Sequence, residues 1–368
     1  MSTYQIIGLI FAAVAVLTSV IMAMESRRQK SLDLDFLPKT SPWILVIRIM
    51  VGVLFLYSGF VKANDYVGFA YKLEEYFTVF GVHFPPMKGF FDLFVPIAEP
   101  MAWFISVFEV ALAVAILLGW RMPLTAWLTI LMMVFFTVLT GYSHFTGAVT
   151  DCGCFGDALK LEPWESFMKD IILTIMLLPL FLVRKSVKPF PNDRISGIIV
   201  GATFLITGIY SYYCHEHLPR IDYRAYKVGV DLNVCTTVPG PEGYPKCKDW
   251  FPYFPEGDIP LFEGKTLMIV NYHAAKSDPE AVKKSVALTR ALQGSGIKVA
   301  GLTSTGPSVM KEWMPANGIN YPMGYADETV LKTVIRSHPG YVLLENGVIL
   351  DKWHHNDTPS AEELQRFF

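Results

Sequence analysis

Residues 48–62 read Arg48-Ile49-Met50-Val51-Gly52-Val53-Leu54-Phe55-Leu56-Tyr57-Ser58-Gly59-Phe60-Val61-Lys62, an apolar run with a cation at each end and no charge between. Crossing a bilayer takes about 20 mostly apolar residues, and this run with its leading residues meets that length over 43–63. Working outward, the same test selects 4–24, 98–119, 123–142, 165–184 and 195–213. Six transmembrane helices are therefore expected. The chain is 52% hydrophobic and 17% charged, against about 25% charged in an average soluble domain. That deficit is confined to residues 1–213; from 215 onward the composition is an ordinary globular mixture. A single soluble domain is excluded, and so is a bare membrane bundle.

A net charge of −2 supplies no field for gathering nucleic acid, and no nucleic-acid partner is expected. Met1 to Gln5 carry no positive side chain while basic residues follow the first apolar run, which reads as an uncleaved anchor rather than a signal peptide. Orientation follows the basic loops. Arg27, Arg28, Lys30 and Lys39 follow span one, Arg121 follows span three, and Arg184, Lys185, Lys188 and Arg194 follow span five. With these loops cytoplasmic, the hydrophilic C-terminal half is periplasmic and the chain is a multi-pass protein of a bacterial inner membrane. All five cysteines then face the oxidising side, where disulfides persist.

The sharpest motif is Thr150-Asp151-Cys152-Gly153-Cys154-Phe155-Gly156-Asp157. Two cysteines around one glycine can close a small, strained disulfide, of the kind that exchanges readily. They can equally form a static bridge in a tight turn, or give two thiolates to a soft metal with His144 on the same loop.

The stretch from Arg48 to Lys62, Ser106-Val107-Phe108-Glu109-Val110-Ala111-Leu112 in span three, and Cys152-Gly153-Cys154-Phe155-Gly156 followed by Trp164 and Lys169-Asp170 resemble the DoxX/MauE group of four-helix membrane proteins. The resemblance covers about residues 43–185. It implies a membrane part linked to disulfide formation or quinone-coupled electron transfer; in a redox role Cys152 and Cys154 would be the exchanging pair. Arg48, Glu109 and Asp170 are costly in hydrocarbon and should face inward, as a packing ion pair or as a proton or quinone site. An Arg48–Glu109 pair would join spans two and three, while Lys62 would snorkel at the outer interface. Between these spans, Tyr71, Leu73, Tyr76, Phe77 and Phe80 suggest an amphipathic helix lying along the outer surface.

From Gly264 onward strands and helices alternate. Strands are expected at Thr266 to Tyr272 and Lys298 to Leu302, and helices at Pro279 to Leu292, 308–315 and 327–337. A hairpin around Asn346-Gly347 follows, then a short helix from Ala361. This order resembles a thioredoxin-like domain of the TlpA-like type over about 255–368, with Pro339 in the place of the family's cis-proline. The place where a redox-active member carries Cys-x-x-Cys reads Tyr272-His273-Ala274-Ala275-Lys276-Ser277-Asp278, so the usual dithiol is missing. Cys235 and Cys247 lie ahead of this fold and are expected as a structural disulfide, with a substitute dithiol as the sharper alternative.

The expected plan is an anchor and cytoplasmic loop at 1–42, a DoxX/MauE-like domain at 43–185, a sixth span at 186–214, a periplasmic connector at 215–254 and the thioredoxin-like domain at 255–368. Two functions fit it. One is thiol–disulfide exchange with extracytoplasmic client proteins, with quinone as the electron partner. The other is a non-catalytic subunit or assembly factor of an envelope complex, anchored in lipid and binding proteins through its degenerate thioredoxin-like domain.

Overall fold

The computed structural model of the chain describes residues 42–149, 153–239, 245–247, 249–255, 257 and 259–367. The expected span at 4–24, the basic loop after it, and Cys152 lie outside the described residues. The chain divides into two compact units that meet in sequence between Tyr212 and Tyr213.

The first unit is helical: α1 (Pro42–Asn64), α2 (Tyr66–His83), α3 (Ala98–Leu118), α4 (Met122–Thr146), α5 (Pro163–Leu182) and α6 (Asp193–His217), the last crossing the unit boundary. Local sequence explains where these helices start and stop. The Asp65 carboxylate accepts a 3.1 Å hydrogen bond from the Gly68 N–H and caps α2. Gly119 and Gly147 end α3 and α4 at φ +68 and +64, where glycine escapes the Cβ clash. Pro163 opens α5, and Glu165 accepts from the Glu162 N–H at 3.1 Å.

Among the described residues, four helical stretches are long and apolar enough to cross a membrane: Pro42–Asn64, Pro85–Leu118, Met122–Thr146 and Asp193–His217. The expected span at 165–184 corresponds to α5, which is outside that set. Its 20 residues carry Glu165, Lys169 and Asp170 near the start. The surface helix expected between spans two and three is α2, but it is a packed part of the unit. Leu73 and Tyr76 are buried, and the Tyr76 hydroxyl shares a 2.6 Å hydrogen bond with Ser143 Oγ of α4.

Helices α1 and α3 approach closely because Gly52 and Gly59 face α3. A Cβ at Gly52 would stand 2.5 Å from Leu117 Cγ, and one at Gly59 would stand 2.9 Å from the Val110 backbone nitrogen. Small residues of this kind let membrane helices pack backbone to backbone. This contact also brings Glu109 beside the end of α1, which positions the site described below.

The second unit is built on a five-stranded sheet in the order β3-β2-β1-β4-β5. Its strands are β1 (Lys265–Val270), β2 (Lys298–Thr303), β3 (Met323–Tyr325), β4 (Gly340–Glu345) and β5 (Val348–His354). Strands β1, β2 and β3 run parallel, while β4 and β5 are antiparallel additions. Alternation along β1 fills two cores. Leu267 and Ile269 pack with α7 (Pro279–Ala291) and α8 (Pro307–Ala316), while Met268 and Val270 pack with α9 (Glu328–Val334). Asn346 and Gly347 turn the β4–β5 hairpin at φ +49 and +85, as a tight two-residue turn requires.

Residues 215–254, expected as a connector, are built into this unit. The Gly229 N–H donates to Ile349 O (2.8 Å) and the Ile349 N–H to Val230 O (2.9 Å), covering the β5 edge. At the other edge Tyr253 and Tyr325 exchange backbone bonds of 2.8 and 2.7 Å. Tyr226, Leu232, Trp250 and Phe254 fill the core on the α9 side. Both edges of the sheet are thus occupied by the chain's own backbone.

Candidate functional site

Lys62 is the hub of the site in the helical unit. It does not snorkel to an interface: only 1% of the residue is exposed. Its ammonium stands 3.0 Å from Glu109 Oε2 and donates to Ser58 Oγ (2.6 Å), Cys154 O (2.7 Å) and Ser58 O (3.3 Å). The Ser58 hydroxyl in turn donates to Cys154 O at 2.9 Å. The Cys154 carbonyl therefore accepts from two side chains one helical turn apart on α1, and the cysteine loop is pinned to that helix. The Phe136 ring lies 5.2 Å from the ammonium, in cation–π range.

Glu109 pairs with Lys62 and not with Arg48, as the sequence reading had it. The helices α1 and α3 run in opposite directions, so Arg48 meets the C-terminal end of α3. There its guanidinium donates to Ile116 O (3.2 Å) and Leu117 O (2.7 Å), adding donors to carbonyls of the last helical turn. Arg48 is thus separated from Glu109 and Asp170, and the three do not form one site.

Asp170 is buried. Its Oδ2 accepts from Thr140 Oγ1 at 2.9 Å, and its Oδ1 stands 3.0 Å from Lys169 Nζ. Lys169 also lies over the Phe155 ring, 4.8 Å from its centre. Ser58, Lys62, Glu109, Lys169, Asp170 and Cys154 line one pocket, with Phe55, Met133 and Phe136 on its apolar side. Its free space of ≈ 20 Å³ holds about one water, and a quinone ring does not fit inside. Two carboxylates and two ammonium groups this close can hold and pass a proton, and can bias the ionisation of a thiol beside them.

The loop itself depends on glycine. Gly153 and Gly156 have φ +67 and +49, and a Cβ at Gly153 would stand 3.1 Å from the Lys72 side chain. His144 is not on this loop. It belongs to α4, with its ring 4.9 Å from Trp164 and stacked at 5.9 Å on Phe167. Among the described residues no three His, Cys, Asp or Glu side chains are placed to hold a metal.

Sequence reading missed Lys62 and Ser58 as site residues. The signal was there, a serine and a lysine four apart in an otherwise apolar helix, but their partner depends on the α1–α3 register.

In the sheet unit, Cys235 and Cys247 form a disulfide, with Cα atoms 5.2 Å apart. Cys235 ends a one-turn helix, Leu232–Cys235, and Cys247 is buried. The His338–Pro339 peptide is cis. The Tyr272 ring lies 4.4 Å from that of His338, so the segment at 272–278 adjoins the Pro339 loop. Ser337 Oγ donates to Pro339 O at 2.7 Å and is within 3.0 Å of His355 Nδ1. His273 pairs with Glu328 at 3.3 Å, and Glu328 pairs with Lys332 at 2.6 Å. Burial and the neighbouring His355 and His273 push His338 down to about 4. Burial and the surrounding histidines push His354 down to about 3. Buried Lys352 donates to Asp222 Oδ2 (2.6 Å), Tyr226 O and Val334 O (both 2.9 Å). Burial, reinforced by Arg224, pushes that ammonium down to about 7.

Residues 40–183 match the family described as methylamine utilisation protein MauE. The chain is also similar to Protein TlpB of Flavobacterium psychrophilum, 28% identical over 172 residues, which cover 45% of this chain and 42% of that protein. The similarity thus spans less than half of that relative. No solved structure matches the chain. Residues 40–183 are therefore MauE-like, and they contain the whole Lys62–Glu109–Cys154 network.

Proposed function

We propose that this chain is a thiol–disulfide redox protein of a bacterial inner membrane, in which Cys152 and Cys154 exchange electrons with extracytoplasmic client proteins. One observation carries the reading: the backbone of Cys154 is held by Lys62 and Ser58 in a pocket with two buried carboxylates. Such a site fixes the loop and places Cys154 in one pocket with two carboxylates. In this reading the bundle has six spans. α5 is among them because Lys169 and Asp170 line the pocket and Glu165 caps its first turn. The basic loops are cytoplasmic, and the sheet unit is a periplasmic thioredoxin-like domain.

A client dithiol attacks the Cys152–Cys154 disulfide, a client disulfide forms, and both loop sulfurs become thiols. A quinone in the bilayer then accepts two electrons and two protons from the loop and leaves as quinol, restoring the disulfide. The pocket does not admit the quinone ring, so that acceptor would meet the loop from outside it.

Cys154→Ser and Cys152→Ser variants are expected to accumulate client proteins in mixed disulfides with the remaining cysteine. Quinone-depleted membranes should hold the wild-type loop reduced. An absence of trapped partners together with an unchanged redox state on quinone depletion would overturn the reading.

The missing cysteines at 272–278 favour a second role for the sheet unit, as a binding module without chemistry of its own. If a Cys152/Cys154 double-serine variant retains full function and co-purifies with stoichiometric partners, that role alone explains the protein.

A further inference from the structure

We infer that Lys62 and Glu109 act as a charge pair that sets the ionisation of the Cys154 thiol, with Lys62 as the positioning residue. The inference rests on the redox reading above. A lysine buried within an apolar helix is expensive, and packing alone would be served by a neutral side chain. Here the ammonium spends its donors on the cysteine loop. It reaches the Cys154 carbonyl at 2.7 Å and Ser58 Oγ at 2.6 Å, and Ser58 passes a second hydrogen bond to that carbonyl.

The other cations near the loop are paired too, and each is more exposed than Lys62. Lys72, whose stem lies against Gly153, pairs with Glu75 at 3.0 Å. Lys160 pairs with Asp157 at 3.8 Å, and Lys169 with Asp170 at 3.0 Å. The Lys62 and Glu109 side chains are only 1% and 4% exposed, so Lys62 is the least screened cation of the four. The pair's positive end is the one bonded to the Cys154 carbonyl. A cation so placed favours thiolate over thiol, and a more stable thiolate makes the loop disulfide more oxidising. Glu109 moderates the effect. Without it, Lys62 keeps three oxygen acceptors.

Opposite signs follow for the two partners. In a Cys152→Ser background, alkylation of Cys154 by iodoacetamide as a function of pH reads the thiol's ionisation in the full chain in detergent. Lys62→Met should weaken that ionisation about tenfold and Glu109→Gln should strengthen it about tenfold, while Lys62→Arg should stay near the parent. With both cysteines present, equilibration with glutathione should show the matching trend. A tenfold change there is about 30 mV, more reducing for Lys62→Met and more oxidising for Glu109→Gln.

A purely structural pair would loosen the loop in either variant and move both the same way. Shifts of the same sign, or none, overturn the inference. Should Lys62→Met fail to accumulate, the neutral Lys62→Met/Glu109→Gln double variant replaces it and should also weaken ionisation. A wild-type loop with no reversible couple would sink the redox reading, and the ionisation measurement would still decide the role of Lys62.

Discussion

At the scale of single residues, the cations at the two ends of the 48–62 run look equivalent in sequence and do different work. Arg48 caps the α3 carbonyls, and Lys62 anchors the cysteine loop. Which of them meets Glu109 depends on the register of α1 against α3, and two glycines set that register. Gly59→Ala would place a Cβ 2.9 Å from the Val110 backbone nitrogen, an atom that cannot swing aside. The substitution should cost about 1–3 kcal/mol, as overpacking does, and lower the thermal midpoint in detergent. Gly201→Ala on α6 has open space around the new Cβ and is the control. Equal midpoints for the two variants would show that the close approach is not what holds α1 to α3. The polar residues of the site were legible one by one from their cost in hydrocarbon. Their pairing was not, because periodicity along one helix carries no information about a neighbour's register.

At the scale of elements, the sheet strands were largely legible, since β1, β2 and the β4–β5 hairpin are apolar runs bounded by turn residues. β3 escaped because three residues, Met323 to Tyr325, are too few to show an alternation. The end of β5 and the Pro339 loop gather histidines, and their acidities carry a sign. His338 and His354 lie at about 4 and 3 in the folded state against an ordinary 6.5. Between pH 6.5 and 4 the unfolded chain therefore binds protons that the folded one refuses, and stability falls as pH falls. Each histidine should remove about 1 kcal/mol by pH 5, after allowance for solvent screening. His338→Phe keeps a ring against Tyr272 and should remove about half of this acid sensitivity, read as loss of β-sheet signal on heating the full chain. An unchanged pH profile in that variant would assign the sensitivity elsewhere. Lys352 acts in the same sense at higher pH. With its folded value near 7 against an ordinary 10.5, it makes the unit more stable as pH rises through that interval.

At the scale of the whole molecule, the break in composition near residue 214 marked the division between Tyr212 and Tyr213. The role of residues 215–254 stayed hidden, because a segment rich in proline reads as a linker whether or not its backbone pairs with a sheet edge. The Cys235–Cys247 disulfide lies in that segment, and it belongs to the sheet unit alone. It closes a sequence separation of 12, which the chain-entropy model converts to about 3 kcal/mol. A Cys235→Ala/Cys247→Ala variant should therefore lose amide protection in β1, β4 and β5 by hydrogen exchange on the full chain. Protection of α1 and α3 should be unchanged. Equal loss in both units would mean that they unfold as one. The same variant also serves the chemistry: with that bridge gone, the cysteines left to titrate are Cys152, Cys154 and Cys214. A redox titration of the loop then reads without interference from that bridge.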